Sequence, residues 1–307
     1  MASSRARRGS RVTVGRGCPP GAVGTKASWS EKRFLDSSTS QPEAFDYPAV
    51  QGRVTQQRPW TSQRQQGPRI CGMTREHEED TRQNITFASN GDHAHGYLAT
   101  PESGSGAGVI VIQEWWGLDD HIVDICDRLA AEGFVALAPD LYGGKVAHGT
   151  DDAGEMMSHL PVDGAARDLA GAVDYLRDHD AVTSKTVGAV GFCMGGGFVL
   201  MLAAQQSDKV SAAVPFYGVG PAVPDTYTGL TAAVQGHYGE KDDFYPVEDA
   251  KKQEAQIRHE SGAEVEFFYY DAAHAFNNDA DKMGTYSPDD AAKAWSRTVE
   301  FLNARVK

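Results

Sequence analysis

Apolar and mixed segments alternate along most of the chain, and their spacing predicts its secondary structure. A β-hairpin is predicted over 84–100, because two segments of alternating polarity flank the turn sequence Asn-Gly-Asp. The continuous apolar run 108–114 is typical of a strand buried on both faces. Residues 119–133 repeat their apolar positions at i, i+3, i+4 and i+7, which indicates an amphipathic helix.

The same alternation continues to the C-terminus and predicts an α/β fold. Strands that alternate with helices form a mostly parallel sheet with helices on both faces. Functional sites in such sheets lie at the carboxyl ends of the strands, so motifs at those positions gain weight. The further predicted strands cover 134–142, 186–192, 210–218, 231–239 and 265–270, the further helices start at Asp163, Gly195, Val247 and Asp289, and a long loop covers about 143–161.

Residues 1–72 differ from the rest in composition and in charge. They are rich in Arg, Ser, Gly, Gln and Pro, lack a periodic apolar segment, and hold 12 Lys and Arg against 4 Asp and Glu. Such a segment cannot bury enough apolar surface to offset its ordering entropy, so we expect a disordered basic tail before a domain of residues 73–307. A targeting segment is one explanation, and a start assigned too far upstream of Met73 is the one we favour.

Composition excludes several classes of function. No apolar run approaches the roughly 18 residues that span a bilayer, so a membrane protein is not expected. Residues 73–307 hold 17 Lys and Arg against 38 Asp and Glu, which argues against nucleic acid as a partner. The four cysteines lack disulfide or zinc spacing, and His93 and His95 lack a third ligand. We expect a cytoplasmic protein without metal or cofactor, a monomer or small homo-oligomer, acting on a small molecule.

The sequence Gly-Phe-Cys-Met-Gly-Gly at 191–196 fits the pattern G-x-nucleophile-x-G, with Cys193 in the nucleophile position. It follows a predicted strand and opens a predicted helix. A sharp turn of this kind strains the nucleophile's backbone, and glycines at the flanking positions permit close approach. The helix start favours a thiolate. The alternative is a buried core cysteine beside a glycine-rich turn.

The base and the acid should follow the nucleophile in the order acid, then histidine. His274 comes just after the last predicted strand and is the candidate base, whereas His237 lies inside a strand and His259 in a charged helix. Three carboxylates follow the preceding strand in the sequence Gly-Glu-Lys-Asp-Asp-Phe-Tyr-Pro. Asp242 is the favoured acid, and Asp243 or Glu240 could replace it on spacing alone.

These segments together resemble the dienelactone hydrolase (carboxymethylenebutenolidase) family. The resemblance runs from about Tyr97 to the C-terminus and includes the sequences VIVIQEWWGL, FVALAPDLYGG, GFCMGG, GEKDDFYP and AHAF, in that order. It implies an α/β-hydrolase fold and hydrolysis of an ester or lactone through an acyl-enzyme. In that mechanism Cys193 is the nucleophile, His274 the base and Asp242 the acid.

The resemblance also assigns residues around the triad. Glu114 matches a family glutamate that contacts the resting cysteine and helps to activate it, which suits a carboxylate that is costly to bury unless paired. Its alternative is a side chain that reaches solvent at a strand end. The backbone N–H groups of Trp115 and Met194 would form the oxyanion hole. Independently of the resemblance, the candidate pocket residues are Trp116, Tyr142, Phe276 and Asn278, and the alternative for Trp116 is ordinary packing at a strand end.

One departure from the family bears on the substrate. Characterised members hold the substrate carboxylate with arginines, one of them four residues after the catalytic histidine, where this chain has Asn278. The loop 143–161 contains no arginine either. We therefore expect a neutral lactone or ester. The competing functions are a non-catalytic binding or regulatory protein on a hydrolase scaffold, and a redox thiol at Cys193.

Overall fold

The computed structural model describes residues 82–307, except 219 and 221. Eight strands form one sheet in the order β1-β2-β4-β3-β5-β6-β7-β8. β2 pairs antiparallel with both β1 and β4, and the remaining pairs are parallel. The strands are β1 (Ile85–Ser89), β2 (Asp92–Ala99), β3 (Ala107–Ile112), β4 (Phe134–Pro139), β5 (Val187–Phe192), β6 (Val210–Phe216), β7 (Ala233–Gly239) and β8 (Val265–Tyr270).

Six helices in the described part of the chain cover the two faces of this sheet. The sheet separates two hydrophobic cores, and alternate residues of β3 point into different ones. Val109 and Val111 pack into the first core, and Ile110 and Ile112 pack into the second. The first core includes residues of α1 and α6, and the second includes residues of α2 to α5. The helices are α1 (Asp120–Ala131), α2 (Thr150–Ser158), α3 (Val162–Asp178), α4 (Met194–Gln205), α5 (Val247–Glu260) and α6 (Pro288–Arg305).

This architecture confirms the predicted α/β fold, including the hairpin and the mostly parallel sheet. The predicted loop over 143–161 was wrong in part, because α2 lies inside it. Ala153 and Met157 are buried and hold this short helix against the core. Its polar and apolar residues do not form a clear periodic pattern in the sequence. Its N-cap residue, Gly149, has no side chain that could make a capping hydrogen bond, so the usual signal of a helix start is missing.

The predicted burial of three individual residues is confirmed. Cys126 is buried on α1, His237 is buried in β7, and His259 is exposed on α5, each as expected. No helix in the described residues is long and apolar enough to cross a membrane. The predicted tail 1–72, and with it the boundary at Met73, lies outside the residues that the structure describes.

Candidate active site

The candidate residues lie just beyond the carboxyl ends of parallel strands. Glu114 follows β3, Cys193 follows β5, Asp242 follows β7 and His274 follows β8. Neighbouring parallel strands end at the same edge of a sheet, so the fold gathers these four side chains at one edge, as is typical of open α/β sheets.

Cys193 occupies a sharp turn between β5 and α4. Its backbone angles are φ 52° and ψ −119°, a conformation that residues with a Cβ rarely adopt. The turn is held by a hydrogen bond from the Cys193 N–H to the carbonyl of Phe216, at 3.0 Å. Cys193 is buried, with only 7% of its surface exposed. The fold therefore fixes the thiol at the start of a helix.

The glycines on both sides of Cys193 are required by close backbone contacts. A Cβ added to Gly191 would lie 2.3 Å from the carbonyl oxygen of Gly195. A Cβ added to Gly195 would lie 2.3 Å from the carbonyl oxygen of Ile112, at the end of β3. These contacts bring the first turn of α4 against the chain that leads into Glu114.

His274 and Asp242 form a buried pair. Nδ1 of His274 lies 2.8 Å from Oδ2 of Asp242, and the two side chains are 3% and 0% exposed. The other carboxylate oxygen of Asp242 accepts hydrogen bonds from the backbone N–H groups of Phe244 and Tyr245, both at 2.8 Å. The structure thus pairs Asp242 with His274, whereas Asp243 and Glu240 are exposed.

The electrostatic surroundings of His274 favour its charged form. Burial alone would lower the pKa of the imidazole, but the charge of Cys193 and the hydrogen bond to Asp242 act against burial and raise that pKa to about 10. Nε2 of His274 is buried and has no aligned hydrogen-bond partner among the described residues.

Glu114 is buried and held by two neutral donors. The Tyr217 hydroxyl donates to Oε1 at 3.2 Å, and the Asn278 amide donates to Oε2 at 2.7 Å. Burial raises the pKa of Glu114, although the charge of His121 and the hydrogen bond from Asn278 act in the opposite direction. The expected contact with Cys193 is not a hydrogen bond in the described residues.

Tyr217 is a residue of this site that the sequence did not single out. It follows β6 directly, has a positive φ of 38°, and is fully buried. Its ring centroid lies 5.1 Å from that of His274, while its hydroxyl bonds to Glu114. Burial, followed by the charges of Glu114 and Cys193, raises the pKa of Tyr217, so its hydroxyl stays a neutral donor. Its position at a strand end beside Cys193 was the available signal.

The sequence model of the dienelactone hydrolase family matches residues 94–306. The chain belongs to the dienelactone hydrolase family. The family places it among hydrolases of the ester and lactone type, and the predicted resemblance is confirmed.

Individual relatives agree with this family. "Protein usf" of Aquifex pyrophilus is 37% identical over 227 residues, which cover 72% of this chain and 97% of that protein. A "Putative carboxymethylenebutenolidase" of Aquifex aeolicus is 34% identical, with 73% and 99% covered. The structure of a "Putative Dienelactone Hydrolase" from Klebsiella pneumoniae matches with a TM-score of 0.63 at 30% identity, covering 71% of this chain and 96% of that one.

In this dienelactone hydrolase family member, the two expected oxyanion-hole residues come from adjoining segments. Met194 is the first residue of α4, where the leading N–H groups have no acceptor within the helix. Trp115 follows Glu114 on the chain that leaves β3, and it is buried against Trp116 and Phe244. The contact of Gly195 with the end of β3 places these two segments side by side.

The four expected pocket residues occupy different places. Trp116 lines a cavity of about 480 Å³, and Tyr142 lines a larger one of about 780 Å³. The Tyr142 hydroxyl lies 3.6 Å from the sulfur of Met194, which connects the larger cavity to the turn at Cys193. Phe276 is fully buried and packs against Tyr217 and Tyr270 beneath the site, and the amide of Asn278 bonds to Glu114.

Proposed function

We propose that the protein hydrolyses a carboxylic ester or lactone with the Cys193 thiolate as nucleophile. The observation that supports this most directly is the buried Asp242–His274 pair, at 2.8 Å, beside a cysteine held in a strained turn at a helix start. The raised pKa of His274 favours an imidazolium beside the thiol, which is the charge state that stabilises a thiolate.

Acylation begins when the thiolate attacks the carbonyl carbon of the substrate. A carbon–sulfur bond forms, and the carbonyl π electrons move to the oxygen, where the N–H groups of Met194 and Trp115 stabilise the negative charge. The carbon–oxygen bond to the leaving group then breaks, and His274 gives its Nε2 proton to the departing alkoxide. With a lactone, this alkoxide stays attached to the acyl chain.

Deacylation uses the same groups in reverse roles. His274, now neutral, takes a proton from water as the water oxygen attacks the thioester carbon. The second tetrahedral species expels the Cys193 thiolate and releases the carboxylic acid. Asp242 orients the imidazole through Nδ1 and stabilises its positive charge in both halves of the reaction.

Glu114 acts on the thiol as a positioning residue within this proposal. Its hydrogen bond to Tyr217 links it to a ring that packs beside His274 and whose pKa is influenced by Cys193. A change in the charge of Glu114 would therefore reach the thiol through Tyr217. This is the route by which Glu114 would activate Cys193.

The surroundings of the site support a neutral substrate. Asn278 holds Glu114 and brings no charge to the position where the family resemblance leads one to expect an arginine. The larger cavity, beside Tyr142, has Lys145, His148 and His159 on its wall together with the acidic residues Asp152 and Glu155. The described lining of this cavity contains no arginine that could hold a carboxylate through two hydrogen bonds.

A matched substrate pair tests the substrate class. We expect a neutral lactone to be hydrolysed at least as efficiently as its carboxylated analogue, with a ratio of carboxylated to neutral kcat/KM of about one or less. The ratio is measured in a pH-stat at several salt concentrations, because screening separates the effect of the acidic surface from that of the pocket. A strong preference for the carboxylated substrate at high salt would contradict a neutral-substrate site.

A broader panel tests the function itself. Chromogenic short-chain esters and unsubstituted lactones should be turned over by the full chain. The absence of turnover with every ester and lactone, in protein that is folded, would favour a binding or regulatory role on this scaffold instead.

A further inference from the structure

A second histidine–carboxylate pair lies next to Glu114, outside the proposed triad. His121 is in the first turn of α1, its side chain is 1% exposed, and its Nδ1 lies 2.9 Å from Oδ1 of Asp279. Asp279 directly follows Asn278, whose amide donates to Glu114. The same loop therefore holds Glu114 through one residue and His121 through the next.

The other ring nitrogen of His121, Nε2, is a buried polar atom outside this pair. It has no hydrogen-bond partner among the described residues, and a buried polar atom without a partner is costly. Because Asp279 fixes the ring through Nδ1, Nε2 faces the interior. A nearby opposite charge reduces the cost of a buried N–H donor at Nε2, and Glu114 is the buried carboxylate that interacts with His121.

Among the described residues, no cationic side chain forms an ion pair with Glu114. Its two hydrogen bonds come from the neutral groups of Tyr217 and Asn278. Burial disfavours its charged form, and the charge of His121 is the strongest influence in favour of that form.

The remaining charged groups near Glu114 do not replace His121. Asp119, at the N-cap of α1, raises the pKa of Glu114, and its own charge is offset by Lys282 at 2.6 Å. His274 lowers the pKa of Glu114, but less than His121 does, and it is already paired with Asp242.

We propose that His121, oriented by Asp279, is a positioning residue that supplies the positive charge opposite Glu114, where the family resemblance leads one to expect an arginine at position 278. The charge of Glu114 therefore depends on His121, and with it the activation of Cys193 through Tyr217. That last consequence rests on the proposed function, whereas the charge pairing itself does not.

The test is an infrared titration of Glu114 in the full-length protein without substrate. The band of the protonated carboxyl group is assigned by its loss in Glu114→Gln, and its midpoint is followed as the pH is raised through the range in which the protein stays folded. His121→Gln should move the midpoint upward by about one pH unit or more, a tenfold stronger proton affinity. Asp279→Asn should move it in the same direction, because the ring loses its orienting carboxylate.

Two further variants separate this role from a structural one. His259→Gln removes an exposed histidine on α5 and should leave the midpoint unchanged. Asn278→Arg in the His121→Gln background should bring the midpoint back down, since it restores a cation beside Glu114. An unchanged midpoint in His121→Gln would overturn the proposal, and, if that variant does not fold, an unchanged midpoint in Asp279→Asn would do so. Because no turnover is measured, loss of the hydrolase proposal would leave this result intact.

Discussion

Replacing Cys193 by alanine is expected to lower kcat/KM for every ester and lactone substrate by about 10⁴-fold or more. The variant keeps the proposed oxyanion hole and the buried Asp242–His274 pair, but it removes the sulfur atom that is the proposed nucleophile. Removal of a nucleophile usually leaves only the weak catalysis that binding and oxyanion stabilisation provide. The measurement is steady-state hydrolysis with circular dichroism to establish that the variant is folded.

Cys126→Ala is the matched control for this prediction. Cys126 is also a buried cysteine, but it packs among the apolar residues of α1, away from the strand ends. Its loss should reduce the free energy of unfolding by about 1 kcal/mol and leave kcat/KM unchanged. Equal loss of activity in the two variants would point to a general defect in folding, and full activity in Cys193→Ala would exclude the cysteine as nucleophile.

Replacing Asp242 by asparagine should lower kcat/KM by about 10²- to 10⁴-fold and change its pH profile. His274 owes its raised pKa of about 10 to the charges of Cys193 and Asp242, which overcome the opposing effect of burial. Without Asp242, the imidazolium is less stable. The alkaline limb of kcat/KM, expected near pH 10 in the wild type, should move to lower pH by about one unit or more.

Asp243→Asn provides the control, because Asp243 is the exposed neighbour of Asp242. It should change neither the rate nor the position of the alkaline limb. If Asp243→Asn has the larger effect, the acid has been assigned to the wrong residue of the loop.

The same raised pKa affects folding stability. Its value in the folded protein, about 10, lies above the ordinary value of 6.5. The charged imidazole therefore contributes stability that is fully present below about pH 6.5 and is lost as the pH rises through about 10.

Much of this fold follows from local pattern. The apolar run that became β3 and the spacing that became α1 each depend on neighbours within a few residues, so period and composition predict them well. The turn at Cys193 was predictable from its G-x-nucleophile-x-G pattern, although Gly195 is required by a contact with the end of β3, far away in sequence. α2 was missed because its burial depends on a core that other segments build.

The candidate site divides in the same way. Cys193, Asp242 and His274 could be proposed because chain order and strand ends constrain where a nucleophile, an acid and a base stand. Tyr217 and His121 were not proposed, because the contacts that connect them to the site cross more than 100 positions of sequence, to Glu114 and to Asp279 respectively. In the sequence, His121 is one of several polar residues in an amphipathic helix. Its bond to Asp279 becomes visible only when the loop after β8 is packed against α1.

The most direct measurement of the central claim is mass spectrometry of the enzyme quenched in acid during turnover of a chromogenic ester. When deacylation is the slower step, we expect a burst of chromophore equal to the enzyme concentration and an increase in protein mass equal to that of the acyl group. After digestion, the added mass should lie on the peptide that contains Cys193. Turnover with the acyl group found on another residue, or steady turnover of a slowly deacylated ester with no acylated enzyme at any time after mixing, would contradict it.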